Sequence, residues 1–285
     1  MSEITATMIK ELRERTGVGM SKCKDALARA EGSMEKAIEI LRKEGMASAV
    51  KKEGREAKDG FIAVSQTDEV IALVEVNSET DFVAQNERFK VFIEDLAGQA
   101  ADTKPASLDD FLSQKYIADE SITVDEARNI LIQKFGENIQ IRRLEIIKKK
   151  ENASYGVYSH MGGKIITVTE IEGSVSAQDI AYDVAMHTAA EAPEYLKPED
   201  VSPVILEKEK EIAASQIKNK PDNIKNKIIE GKINSFYDAV CLLNQKYVKD
   251  NSITVKQFVE TAGIKSSKTL AVSRFWYWKV GQNIA

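Results

Sequence analysis

Hydrophobic positions in the first fifty residues recur at helical steps. Met8, Ile9 and Leu12 share one face, and the glycines of TGVG (16–19) stop that helix. A second segment runs from Ser21 to Ala30 and ends at EGS. Ser33 then caps a third, on which Ala37, Ile38 and Leu41 recur at three- and four-residue steps. Three short helices of this kind predict a small bundle. The charged, weakly apolar stretch RKEGMASAVKKEGREAKDG (42–60) reads as a connector. From Gly60 the period becomes strand-like: FIAVS and VIALVEV flank QTDE, a hairpin signal. A helix is predicted from Glu79 to Ala101, with Phe82, Phe89, Phe92, Ile93 and Leu96 at helical steps. A second helix near 123–135 and the strand-like IQIRRLEII (139–147) follow.

The second half repeats this plan. YGVYSHMGGKIITVTEI (155–171) predicts a hairpin turning at Gly162–Gly163, and a helix near 176–191 follows it. YIADESITV at Tyr116 matches YVKDNSITV at Tyr247, an offset of 131 residues. The offset persists without a gap, so that Ile139, Ile141, Arg143 and Leu144 fall on Leu270, Val272, Arg274 and Phe275. Eight of 32 positions are identical, which with the matching hairpins predicts two similar α+β units. The hairpins themselves are offset by only 96, so the second unit is 35 residues longer. The extra length falls at 203–240, where Ile224, Ile228, Ile233, Phe236 and Val240 form a stripe after the break at Lys220–Pro221. This predicts two antiparallel helices whose apolar stripe either closes the hairpin on itself or also meets a partner.

Charge and composition narrow the function classes. At 285 residues, 43% hydrophobic and 30% charged, the chain resembles a soluble globular protein of more than one domain. A net charge of −5 argues against a general nucleic-acid binder, and the basic runs at 51–55 and 147–150 are short. Cys23 and Cys241 form neither a disulfide framework nor a metal-ligand spacing. Charge appears at once at the N-terminus and no apolar run reaches ~18 residues, so the expected location is the cytoplasm, without a membrane span.

Candidate chemistry is sparse. No phosphate-binding glycine loop, nucleophile elbow or HExxH is present. His187, in AMHTAA on a helix, reads as a packed histidine, whereas His160 beside the glycine turn should be exposed. Glu75, Glu79 and Asp81 cluster, and paired carboxylates can perform acid–base work. The same residues admit a structural reading: Ser78 and Asp81 resemble a capping box, and Phe82 stands one heptad before Phe89, where it could join the buried stripe.

Four stretches, MIKELRERTGVGMSKCKDAL, NSETDFVAQNERF, AMHTAAEAPEYLKPEDV and SRFWYWKVG, together resemble bacterial elongation factor Ts over residues 3 to 281. That family is the guanine-nucleotide exchange factor for the GTPase elongation factor Tu. The resemblance implies an α+β multidomain fold: an N-terminal three-helix domain like a ubiquitin-associated fold (1–55), then two related subdomains (56–150 and 151–285). The second subdomain would carry the inserted helical hairpin (203–240). It implies a protein without covalent chemistry, cofactor or metal of its own. Thr80, Asp81, Phe82 and Val83 match the segment that dislodges Mg²⁺ from the GTPase, and displacing Mg²⁺ weakens GDP binding. Arg13, Met20, Ser21, Lys24 and His160 match partner-binding positions. The helical hairpin matches a region of self-association in some members and a contact arm in others. Two departures stand out: the chain ends soon after RFWYWKVG, where some members continue into a further helix, and Gln85 occupies a position often basic in the family. For Trp276 and Trp278 the sequence suggests only strand packing. The competing readings are a small-molecule enzyme, disfavoured by the absent site constellation, a translation-associated RNA-binding module, disfavoured by the acidic charge, and a family member that has lost exchange activity, disfavoured by the presence of Asp81 and Phe82.

Overall fold

The computed structural model describes residues 4–16, 18–217 and 221–282, the side chains of 222 and 223 excepted. Gly17, expected to help stop the first helix, and Lys220, expected to break the pattern before Pro221, lie outside the described residues. The fold is α+β, and the chain divides into two compact units, one up to Lys149 together with Lys279 onward, the other Lys150–Trp278.

The first unit begins with three helices, α1 (Ala6–Thr16), α2 (Met20–Arg29) and α3 (Met34–Lys52), closed around Leu12, Val18, Cys23, Leu27, Ala37 and Leu41. Ser33 caps α3 by accepting from the Lys36 N–H. The expected connector from Arg42 is instead helix as far as Lys52. Its weak apolar content has a packing reason. Leu41, Gly45 and Ala49 form one buried line, and a Cβ at Gly45 would already be in van der Waals contact, at 3.4 Å, with the Asn129 carbonyl of a later helix, leaving no room for a longer side chain. Small residues let two helix backbones approach closely, where a large side chain would hold them apart.

A three-stranded antiparallel sheet follows, with β2 (Val70–Ser78) between β1 (Asp59–Gln66) and β5 (Gln140–Lys148). Between β2 and β5 come α4 (Asp81–Ala84), α5 (Glu87–Thr103), α6 (Leu108–Ser113), the ribbon β3 (Lys115–Tyr116) and β4 (Asp119–Thr123), and α7 (Val124–Phe135). Every residue of β2 is buried, so its side chains contribute to both faces of the sheet, and Phe89, Phe92, Ile93 and Leu96 of α5 join the same core. Burial of a whole strand leaves the carboxylate of Glu75 without water. It is satisfied by Arg143 Nε at 2.6 Å, Asn77 Nδ2 at 3.1 Å and the Gly281 N–H at 2.9 Å.

The second unit has the same order. Its sheet places β7 (Ile165–Glu172) between β6 (Ala153–His160) and β10 (Ala271–Lys279), with α8 (Gln178–Glu191) following the hairpin. The expected helical hairpin is present as α9 (Pro203–Ser215) and α10 (Asp222–Val240), after a 3-10 turn at Pro198–Asp200. Along α10 only Ile233 of the expected stripe is fully buried, and Ile224 is exposed. The ribbon β8 (Lys246–Tyr247) and β9 (Asp250–Thr254) leads into α11 (Val255–Lys265). The repeat holds at the level of single hydrogen bonds. Ser121 bonds Asp119 as Ser252 bonds Asp250, and the capping box Thr123–Glu126 is matched by Thr254–Gln257. Arg143 and Arg274, superimposed by the 131-residue offset, each neutralise a buried glutamate of a central strand, Glu75 and Glu170.

Burial alone would push the Glu170 carboxyl up, but Arg274, Lys150, Ser273 and Tyr155 together hold it down at about 2. A free glutamate titrates near 4.3, so the unfolded chain binds this proton first as the pH falls. The stabilisation is therefore complete above about pH 4.3 and is lost as the pH falls through about 2, a total of about 3 kcal/mol. We expect a carboxyl NMR titration to show Glu170 ionised to below pH 3, and Glu170→Gln to flatten the acid limb of the stability profile of this unit.

Candidate functional site

At the end of β2 the chain makes a tight exit. The Ser78 hydroxyl donates to the Thr80 carbonyl at 2.9 Å, and Thr80, in extended conformation, caps α4 by accepting from the Val83 N–H at 3.5 Å. The cap is thus Thr80 rather than the expected Ser78. The helix expected from Glu79 to Ala101 is two helices: α4 ends at Ala84, and Asn86 starts α5 by accepting from the Arg88 N–H. Asparagine favours caps over helix interiors because its side chain competes for nearby N–H groups. The break resets the helical phase. Val83 and Ala84 turn inward, while Asp81 and Phe82 face outward, and Phe82 is 86% exposed. The alternative in which Phe82 joins the Phe89 stripe is not realised.

The three clustered carboxylates do not form an acid–base pair. Glu75 is committed to Arg143. Glu79 accepts from the Asn138 N–H at 2.6 Å and pairs with Arg55. Asp81 is exposed and has no side-chain partner among the described residues. Sequence reasoning missed Glu137 and Asn138. Gly136 closes α7 with φ at 77°, in the left-handed region that glycine adopts without strain. After it, Glu137 accepts from the Thr80 N–H at 3.0 Å and from the Thr80 hydroxyl at 2.6 Å. The Asn138 side chain donates to the Arg55 carbonyl at 2.7 Å. Residues 79–80 and 137–138 therefore exchange hydrogen bonds in both directions. The glycine after α7 was the one sequence signal of a sharp turn there, but nothing local says what that turn faces.

The other expected contact residues are all exposed. Arg13 lies in the last turn of α1, and Met20, Ser21 and Lys24 lie in the first turns of α2. In the second unit His160 is the last residue of β6, and its ring stacks on Tyr158 with centroids 6.0 Å apart. Tyr158 in turn meets Tyr182 edge-on, and Met161 at the turn is exposed. His187 is fully buried. Its Nδ1 accepts from the Val248 N–H, so Nε2 carries the proton and donates to Gln245, and burial pushes its pKa down. It is a packed neutral imidazole, as the sequence suggested. Trp278 is buried, and the Arg274 guanidinium stacks over Trp276 at 4.9 Å. Among the described residues no group of three or more His, Cys, Asp or Glu could hold a metal ion, and no helix is long and apolar enough to cross a membrane.

A family model described as Elongation factor TS matches residues 79–282, which includes the clasped turn, Glu137 and the His160 tip. Elongation factor Ts of Protochlamydia amoebophila is 54% identical over 282 residues, 99% of this chain and all of the relative. The proteins of the same name from Chlamydia caviae and Chlamydia muridarum are 42% and 40% identical over 281 residues, with the same coverage.

The chain belongs to the elongation factor Ts family.

Membership makes it an elongation factor of protein biosynthesis. The family match begins at Glu79, so the first 78 residues, with Arg13, Met20, Ser21 and Lys24, are covered by the full-length relatives alone. Four residues of the Thr80–Val83 segment divide their work by position. Thr80 is the cap, Val83 is the buried anchor, and Asp81 and Phe82 are the groups offered to solvent.

This division is measurable without any partner. Phe82→Ala should leave the urea midpoint unchanged within error, because an exposed ring contributes little to the core. Phe89→Ala, at a residue with no exposure, should cost about 3–5 kcal/mol.

Proposed function

We propose that the chain is the guanine-nucleotide exchange factor of elongation factor Tu, acting in the cytoplasm and without covalent chemistry or a cofactor of its own. The observation that carries this reading is the exposed Phe82 ring, held at the mouth of a capped turn beside the exposed carboxylate of Asp81. Single exposed hydrophobic side chains are ordinary, but Phe82 is the most exposed large hydrophobic among the described residues, and its turn is capped and anchored, which suits a ring that enters a partner. Inserted between elements of the GTPase, the ring would shift the segments that ligate Mg²⁺. Mg²⁺ bridges nucleotide phosphate oxygens to the protein and neutralises their charge, so its loss loosens GDP.

In this reading the three-helix domain (1–55), with Arg13, Met20, Ser21 and Lys24, and the His160 tip of the second subdomain (151–285) supply docking contacts. The turn of the first subdomain (56–150) does the displacing. The inserted hairpin (203–240) offers exposed Val204, Ile212 and Ile224 for self-association or a further contact. Binding and release are linked: the factor by which this protein weakens GDP is the factor by which GDP weakens this protein. The direction of exchange then follows the GTP:GDP ratio, because both nucleotides are released faster.

The test is release of a fluorescent GDP from elongation factor Tu in excess Mg²⁺. The native chain should accelerate release strongly, and Phe82→Ala should remove at least about tenfold of that acceleration, about 1.4 kcal/mol of barrier, while still binding. Tight binding with no acceleration would contradict exchange and leave a structural partner of the GTPase.

A further inference from the structure

A one-turn helix cannot fix its own orientation, because nucleating a turn constrains several dihedrals for a single hydrogen bond. The direction in which α4 presents Phe82 must therefore be imposed from outside its four residues. Val83 and Ala84 hold the underside by burial. The entry is held by Glu137, whose two carboxylate oxygens take the N–H and the hydroxyl proton of the same residue, Thr80. With its proton committed to Glu137, the Thr80 oxygen turns a lone pair towards the Val83 N–H, which is the capping bond of α4. One carboxylate thus fixes the backbone before the helix and the rotamer of its cap. Hydrogen bonds to an ionised acceptor are shorter and stronger than neutral ones. Glu137 is itself aimed by the left-handed Gly136, and its neighbour Asn138 is tied to Glu79 and Arg55.

We propose that Glu137 is a positioning residue for nucleotide exchange, acting on Phe82 through Thr80 and setting how far the ring displaces the GTPase rather than how tightly the two proteins dock. The inference rests on the reading of Phe82 as the displacing group. Glu137 carries out this role without being offered to the partner, since its carboxylate is occupied on both oxygens by Thr80. Its loss leaves Arg13, Met20, Ser21, Lys24 and His160 where they are, so docking survives while the ring is free to swing. A misplacement of the order of 1 Å at a working group is enough to cost about a hundredfold in rate.

The experiment titrates full-length Glu137→Ala, Thr80→Val, Thr80→Ser and Phe82→Ala against elongation factor Tu loaded with fluorescent GDP. It reads the maximal release rate, the half-saturating concentration and the melting temperature of each variant. Glu137→Ala and Thr80→Val are expected to lower the maximal rate at least tenfold with the half-saturating concentration changed less than threefold. Thr80→Ser, which keeps the hydroxyl that bridges Glu137 and Val83, is expected to restore most of the maximal rate. A native maximal rate in Glu137→Ala overturns the proposal. So does a loss expressed only in the half-saturating concentration together with a lower melting temperature, which would make Glu137 merely structural. Should Glu137→Ala fail to fold, Thr80→Val against Thr80→Ser decides the matter alone. If Phe82→Ala itself retains the native rate, the reading of Phe82 fails, an outcome distinct from Phe82→Ala impaired with Glu137→Ala intact.

Discussion

The cross-strand pair of Glu75 and Arg143 fixes the geometry of the first unit. Glu75 sits in a strand with no solvent on either face, and removing the partner of such a buried carboxylate costs about 3–5 kcal/mol. Its partner is directly opposite on β5, across a bulge between Glu75 and Val76, so the ion pair specifies one register and excludes its neighbours. In that register Asn77 faces Gln140. The residues just beyond the ladder, 79–80 and 137–138, are then brought face to face and exchange three hydrogen bonds. The turn that offers Phe82 is thus a consequence of a charge buried several residues earlier. The second unit uses the same device with Glu170 and Arg274, which is the physical content of the internal repeat.

Much of this was legible from one strand of text because it is local. Both hairpins, the helix near 123–135, the inserted helical pair and the packed state of His187 follow from periodicity and spacing. The part that was not legible depends on residues distant in sequence. The extension of α3 to Lys52 was hidden because Gly45 and Ala49 are small for the sake of a close neighbour some eighty residues later, and small residues carry no hydrophobic signal. The phase of Phe82 was ambiguous because the break at Asn86 reads as an ordinary polar helical position until the turn is closed. Glu137 was invisible for the same reason: a glutamate after a glycine has no local mark of holding a threonine 57 positions upstream. The family resemblance supplied the correct side for Phe82 and Asp81, but it said nothing of what holds them there.

The arrangement separates rigidity from exposure. Thr80 and Val83 are spent on anchoring, and Asp81 and Phe82 are left with no internal obligation. A ring on a loose loop would lose orientational entropy when it inserted into a partner, and that loss would come out of the displacement it could drive. A ring on a clasped turn has already made that sacrifice during folding.

The most direct measurement places 4-fluorophenylalanine at position 82 alone and follows its ¹⁹F resonance in the free chain and on addition of elongation factor Tu·GDP. The account predicts one solvent-exposed resonance in the free chain, which moves to a buried environment at the same rate as GDP is released. A resonance that stays solvent-exposed while GDP leaves at the native rate would contradict it.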